Sequence, residues 1–407
     1  MAIKKVTNAE NDYFHKENKG WESLVRTFQN SVNKNIISYL MQKNNSIDEY
    51  CTIQQYHQSM IQDKENGFKL SFDKEQTLIC NQNLKVKLEK KSNVLQPLCL
   101  MWLNNGKSLA VGYTKAKTTN TSNHQLKGDI NIINFYKPQQ RQRFFKDIQG
   151  LGSMKLLNNG KHIVVGDKVG DIYFLDYILN NLKNQMEDKK GMDDKSDEQK
   201  RISTKVQDLV DISPSPTDIK LAIAGGKHIT ILDIQKEEEE LKLENQTKEI
   251  TSCEWNPQKA LIISTDDSKV RLWDPKDTQN IAELSAHNQP VTVGKWHPNG
   301  QNFLTGGKDR AIKLFDIRNL SQPVNTFCSD GEITCLKWHP IQSHIFVSGD
   351  NSGNVLHFQT GEQSPIDQQF SDDKIVDIDY HPLGNIMCFI DQKKQLMFYS
   401  RDPPKEY

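Results

Sequence analysis

An excess of charge of either sign is the first thing this chain lacks: its 52 Lys and Arg are balanced by 52 Asp and Glu. No global field therefore commits it to an acidic or a basic partner, although local patches stay open. Long apolar runs are missing as well. None approaches the roughly 18 residues of a membrane helix, and the first 30 residues hold no apolar core of a secretory leader, so neither a membrane partner nor secretion is expected. The 7 cysteines include no Cys-x-x-Cys pair and set up no disulfide framework. Cys99, Cys253, Cys335 and Cys388 lie inside apolar runs and read as small core residues, which favours a reducing compartment, cytosol or nucleus. Signatures of catalysis are absent: no Gly-x-x-x-x-Gly-Lys-Ser/Thr, Gly-x-Ser-x-Gly, His-Glu-x-x-His or Gly-x-Gly-x-x-Gly occurs. Gly225-Gly226-Lys227 and Gly306-Gly307-Lys308 lack the following helix that a phosphate loop requires and read as hairpin turns. No catalytic residue, metal, cofactor or small-molecule substrate is expected.

What is present is a period. Trp296-His297-Pro298 returns as Trp338-His339-Pro340 and as Tyr380-His381-Pro382, 42 positions apart each time, and Trp255-Asn256-Pro257 precedes the first by 41. After each phrase come polar residues, an apolar run, a Gly/Asp/Asn turn and a second apolar run. A period in the forties with short strands is the signature of a β-propeller of WD repeats. Seven units need about 300 residues, so one propeller and an N-terminal extension fit in 407. The hydrophobic fraction of 36% is low for one thick core but serves a fold that buries its core blade by blade. The expectation is an all-β, seven-bladed WD40 propeller over residues 95–404, preceded over 1–94 by an arm, a short helix, a strap and a ring-closing strand.

In chain order, Asn35-Ile36-Ile37-Ser38-Tyr39-Leu40-Met41 has helical spacing. Residues 51–82 are polar and read as a surface strap. Leu84-Lys85-Val86-Lys87-Leu88 alternates strictly, as a half-exposed strand does, and is placed to complete the outer edge of the last blade. The units then run from Leu98 to Phe135 with a polar insert at Lys115–Lys127, from Phe145 to Leu175, and from Val206 to Asp233. The remaining four end at Trp273-Asp274, Phe315-Asp316, His357-Phe358 and Phe398-Tyr399. Asn180–Arg201 is so poor in apolar residues that a loop without fixed structure is predicted, over about 180–202. The acidic run Glu237 to Glu240 reads as a solvated connector.

Each chemically suggestive group has a plain structural alternative. In the fifth unit His287, Asp309 and Thr305 match a buried His that bridges a turn Asp and a strand hydroxyl, a structural role. His297, His339 and His381 belong to different blades, too far apart to share a metal at about 2.0–2.1 Å, and read as turn residues before Pro. Arg141-Gln142-Arg143-Phe144-Phe145-Lys146-Asp147-Ile148 lies on the connection from unit one to unit two. There Arg143 and Phe145 either hold a stacked base or simply lead into a strand. Lys308-Asp309-Arg310, with Lys313 and Arg318, reads as edge charge. In the arm, Tyr13, Phe14, Trp21 and Phe28 stand among His15, Lys16, Lys19 and Arg26. They either pack on the propeller wall or face nucleic acid, with stacking aromatics and phosphate-holding bases.

From about Thr247 onward the likeness sharpens. Trp273-Asp274-Pro275-Lys276, Ala286-His287-Asn288, Lys313-Leu314-Phe315-Asp316-Ile317-Arg318-Asn319-Leu320, Trp338-His339-Pro340-Ile341 and Tyr380-His381-Pro382-Leu383-Gly384-Asn385-Ile386-Met387-Cys388, closing in Ser400-Arg401-Asp402-Pro403, follow one order. This order resembles that of the WD-repeat subunit of the cleavage and polyadenylation specificity factor, and Ser213-Pro214-Ser215-Pro216-Thr217-Asp218 fits the family's third blade. The resemblance implies a non-catalytic, nuclear subunit that helps recognise the AAUAAA signal of pre-mRNA. Its implied partners are a zinc-finger subunit and a large multi-propeller scaffold subunit. In that family a U·A pair within the signal is stacked between an arm aromatic and a Phe on the first inter-blade connection, with Ile three residues later. Phe145 and Ile148 match that pair of positions. Phe14 corresponds best to the arm aromatic, Trp21 next. Lys16 and Lys19 are a thinner version of the family's basic cluster, which implies fewer phosphate contacts and a shallower salt dependence. The implied RNA-binding set is Phe14, Lys16, Lys19, Arg143, Phe145 and Ile148.

Two other classes remain open. Phe315-Asp316-Ile317-Arg318 approximates the Trp-Asp-x-Arg box of substrate adaptors of ubiquitin ligases, and a divergent paralogue would act as a protein-only scaffold.

Overall fold

Along Ile333-Thr334-Cys335-Leu336-Lys337-Trp338 the apolar side chains are buried, while Thr334 and Lys337 are half-exposed. Ile333, Leu336 and Trp338 join one apolar cluster and Cys335 another, as suits a strand whose two faces each meet a neighbouring sheet. The computed structural model describes residues 84–87 and 95–399, apart from 105, 107, 116–126, 135–140, 178–199, 245–247, 268, 341, 383 and 385. The arm with Phe14, Lys16 and Lys19, the helix expected at Asn35–Met41 and the strap lie outside the described residues, as do most of the insert after Lys115 and most of the loop after Asn180.

Seven four-stranded antiparallel sheets make up the described chain. The strand β1 (Leu84–Lys87) comes first. Blade one is β2–β5 (Leu95–Trp102, Ser108–Lys115, Gly128–Asn134, Arg141–Ile148) and blade two is β6–β9 (Leu151–Leu156, His162–Asp167, Asp171–Asp176, Lys200–Ser203). Blade three is β10–β13 (Leu209–Pro214, Lys220–Gly225, His228–Asp233, Glu238–Leu243) and blade four is β14–β17 (Ser252–Trp255, Ile262–Thr265, Lys269–Trp273, Asn280–Ser285). Blade five is β18–β21 (Val291–Trp296, Asn302–Gly307, Ala311–Asp316, Asn325–Cys328) and blade six is β22–β25 (Ile333–Trp338, Ile345–Asp350, Asn354–Gln359, Asp367–Phe370). Blade seven takes β26–β28 (Ile375–Tyr380, Met387–Asp391, Gln395–Tyr399) and closes with β1, paired Leu84↔Phe398 through Lys87↔Gln395.

The first strand of each blade neighbours the first strand of the next, and β26 returns to β2, so the ring is closed. Apolar residues collect between blades, which is how a modest hydrophobic fraction covers seven seams. Leu100, Trp102, Leu109 and Val111 of blade one pack with Cys388, Ile390, Leu396 and Phe398 of blade seven. Polar bolts add to the apolar seams. Asp377 and Asp379 accept the Leu100 and Trp102 N–H groups, both at 2.7 Å. Around an axial channel of about 940 Å3, Lys155 pairs with Asp211 (3.7 Å), Lys295 with Glu254 (3.3 Å) and Lys337 with Asp379 (2.7 Å). Burial opposes the Lys337 ammonium, but Asp379 and its hydrogen bond carry its pKa above the usual lysine value.

Several sequence expectations change. Arg141–Ile148 is not a connection: it is the outer strand of blade one, and Phe145 lies within that strand instead of opening unit two. Lys200 and Arg201 belong to β9 and not to the preceding loop, because their strand pairs with Phe174 and Tyr173. The acids from Glu238 onward are no connector but begin β13, the solvent-side strand of blade three. There Lys220 and Lys236 neutralise Glu240 at 2.7 and 3.3 Å.

Candidate nucleic-acid interface

β5 is irregular in a way that matters. Its register against β4 runs Gly128↔Ile148, Ile130↔Phe145, Asn131↔Arg143, so β5 carries an extra residue on each side of Phe145. Such bulges re-aim side chains. Phe144 turns into the core, 9% exposed, whereas Phe145 is half-buried at the boundary with blade two. Gly128 lets the strands pass this closely: a Cβ there would meet the Leu151 nitrogen and the Tyr113 oxygen, both at 2.9 Å.

Across the boundary Phe145 meets Tyr173 of β8, ring centroids 5.3 Å apart and planes at 57°. Arg201 lies over the same tyrosine, 5.7 Å from its centroid, and is ion-paired to Asp171. The Tyr173 hydroxyl donates to Asp167 at 3.3 Å. Burial and the Asp167 charge push the phenol up to about 12, so it stays a neutral donor. Asp167 also accepts the N–H groups of Val169, Gly170 and Asp171 at 3.0, 2.9 and 2.9 Å, which pins the β7–β8 turn beside the site. Phe145 and Tyr173 both stand toward the face of the propeller that carries this turn.

The six sequence-derived residues thus fare differently. Phe145 is a half-buried ring that packs in part against the core between blades one and two. Ile148 is 1% exposed and packs in the core with Leu151, Met154 and Ile163, so it supports the strand from beneath. Arg143 is placed only by its backbone, opposite Asn131; its side chain, like Phe14, Lys16 and Lys19, lies outside the described residues. Tyr173 and Arg201 were not anticipated. The signal available was Tyr173 as the half-exposed member of Asp171-Ile172-Tyr173-Phe174, and Arg201 directly before an Ile-Ser-Thr run.

The other suggestive groups are spoken for. His287 Nδ1 lies 2.9 Å from Asp309 and Nε2 2.8 Å from the Thr305 hydroxyl. His297, His339 and His381 each reach a backbone oxygen of the next blade, Ser343 (2.5 Å), Gly384 (2.9 Å) and Gly106 (3.1 Å). Lys313 donates to the Ala286 carbonyl at 2.7 Å, and Arg318 grips Asp316 at 2.6 Å. Cys253 and Cys388 are buried, and burial raises their thiols well above the ordinary value.

A family model described as WD domain, G-beta repeat, matches residues 238–274 and 278–316. Each match begins on the outer strand of one blade (β13, then β17) and runs through three strands of the next. The chain is a WD-repeat protein. Its relatives are similar only in part. Pre-mRNA-processing factor 19 of Mus musculus is 27% identical over 110 residues, 27% of this chain and 22% of that protein. WD repeat-containing protein 37 of Mus musculus is 27% identical over 116 residues, 26% and 23% of the two chains. The EARP-interacting protein homolog of Gekko japonicus is 30% identical over 118 residues, 26% and 30%. This WD-repeat chain therefore aligns with less than a third of the length of each.

Proposed function

We propose that this WD-repeat protein is a non-catalytic scaffold and RNA-binding subunit of the nuclear pre-mRNA cleavage and polyadenylation machinery, helping to hold the AAUAAA signal. The partners proposed with it are a zinc-finger subunit and a large multi-propeller scaffold subunit. Supporting this reading most is Phe145. A bulged outer strand with two arginines two and four residues upstream turns this aromatic ring to a blade boundary, at the position that the polyadenylation-factor resemblance singles out. A base stacked on such a ring gains about 1–3 kcal/mol. WD-repeat propellers typically serve as scaffolds, and one relative carries pre-mRNA processing in its name. Arm residues Phe14, Lys16 and Lys19 complete the proposed site, with Arg143 for phosphate and Ile148 as its buried support.

The test is binding of an AAUAAA oligonucleotide by the reconstituted complex with wild-type chain or Phe145→Ala. A loss of about ten- to a hundredfold is expected from one stacking contact. Equal affinity would remove Phe145 from the site. Mass spectrometry of the purified complex separates this reading from the adaptor reading: polyadenylation factors support it, and a cullin-linked propeller in their place would refute it.

A further inference from the structure

The aromatic surface does not end at Phe145. Tyr173 is its neighbour across the blade boundary, and Arg201 is the direct cross-strand partner of Tyr173. Three planar groups from β5, β8 and β9 therefore follow one another from blade one into blade two. Arg201 is fixed from one side only. The Asp171 side chain is 8% exposed and is held by the Ser203 hydroxyl at 2.6 Å, whereas the Arg201 side chain is 53% exposed. The pair is lopsided, with its carboxylate inside and its guanidinium turned out. Balancing Asp171 does not require an aromatic ring under the cation or so much exposure of it. A guanidinium near a ring, anchored by one carboxylate and half in solvent, keeps a plane that can stack on a base and N–H groups that suit a phosphate.

We infer that Tyr173 and Arg201 continue the Phe145 site into the second blade, Arg201 holding the next nucleotide of single-stranded RNA through its base and its phosphate. This rests on the reading of Phe145 as an RNA-stacking residue. Arg201 would then be a binding residue, and Tyr173 the residue that positions it.

To test it, the full chain, purified with the partners that accompany it, is titrated with a fluorescein-labelled RNA containing AAUAAA at several salt concentrations. Arg201→Gln should weaken binding about five- to fiftyfold and lower the slope of log K against log salt by about 0.7, the share of one phosphate on a single strand. Arg201→Lys should restore the slope but not the full affinity, since an ammonium lacks the plane. Tyr173→Leu should weaken binding with the slope kept. Arg318→Gln, on the opposite face, should change neither. Melting curves identify any variant that fails to fold, and Arg201→Lys with a wild-type melt decides the matter if Tyr173→Leu does not fold. Wild-type affinity and slope in Arg201→Gln, with Phe145→Ala weakened, would overturn this inference and leave the Phe145 reading standing. Wild-type binding in every variant, or no RNA binding by the unaltered protein, would overturn both.

Discussion

Thr305 and Ser348 hold equivalent places in adjoining blades, within Phe303-Leu304-Thr305-Gly306 and Phe346-Val347-Ser348-Gly349, yet their hydroxyls have different surroundings. Thr305 meets His287 at 2.8 Å. In blade four the equivalent Ser264 receives the Trp273 indole N–H at 2.9 Å. Blade six has neither donor. Ser329 stands where His287 would be and bonds Asp350 at 2.8 Å, Phe358 stands where Trp273 would be, and the Ser348 hydroxyl is buried without a partner. Removing a partnered group leaves the other half orphaned, whereas removing an orphan costs nothing. Thr305→Val should therefore destabilise by about 1–3 kcal/mol, and Ser348→Ala should be neutral within about 0.5 kcal/mol or stabilising. Thermal melts of the two variants check this; equal losses would refute it. The His287 triad was readable in the sequence because all three residues lie within one repeat. The orphan at Ser348 appears only when two repeats are superimposed in space.

At the scale of the element, strands with a regular apolar alternation were legible, even β1 at the outer edge of blade seven, and the polar rim strands β9 and β13 were not. Leu84-Lys85-Val86-Lys87 alternates, and it pairs with β28. Deleting residues 83–92 should lower the melting temperature of the whole propeller by about 5 °C or more, because it bares the β28 edge; an unchanged melt would show that the ring closes without it. The rim strands β9 and β13 read as loop and connector because most of their side chains face water. What makes Lys200–Ser203 a strand is its pairing with Asp171–Phe174, some 30 residues away. β5 hides its own nature differently: its two bulges break the two-residue alternation by which a strand is recognised, and the same bulges turn Phe145 outward.

The described blades form a ring, and one repeated device bolts four of its seams: the His or Asn of a phrase reaches a backbone oxygen of the next blade. His339 donates from Nε2 to the Gly384 carbonyl and accepts the Gln342 N–H on Nδ1 at 2.8 Å, so only the neutral ring satisfies both bonds. Burial, opposed only in part by those bonds, lowers His339 and His381 to about 4. Their folded values lie below the unfolded value of about 6.5. The stability they contribute is complete above about pH 6.5 and is lost as pH falls toward 4, by up to about 3 kcal/mol per residue. Asn256 does the same work without titrating, donating to the Gly300 carbonyl at 3.0 Å and accepting the Gln258 N–H at 2.9 Å. His339→Asn with His381→Asn should therefore flatten the fall of melting temperature between pH 6.5 and 4 relative to wild type; parallel curves would refute the linkage. The period of 42 made the blade count legible, but the bolts span from one phrase to the turn after the next, and no single repeat contains both ends.

Blade seven holds the earliest and the latest strands of the described chain, and this sets a schedule. Strand β1 leaves the ribosome roughly 300 residues before β28, a wait of about 15–60 s at usual elongation speeds. Six blades can assemble in that interval, each against its predecessor, while the first-made strand stays unpaired. Closure is then the last step in assembling these seven blades, and a nascent chain halted before Gln395 would be an open arc with its seam uncovered.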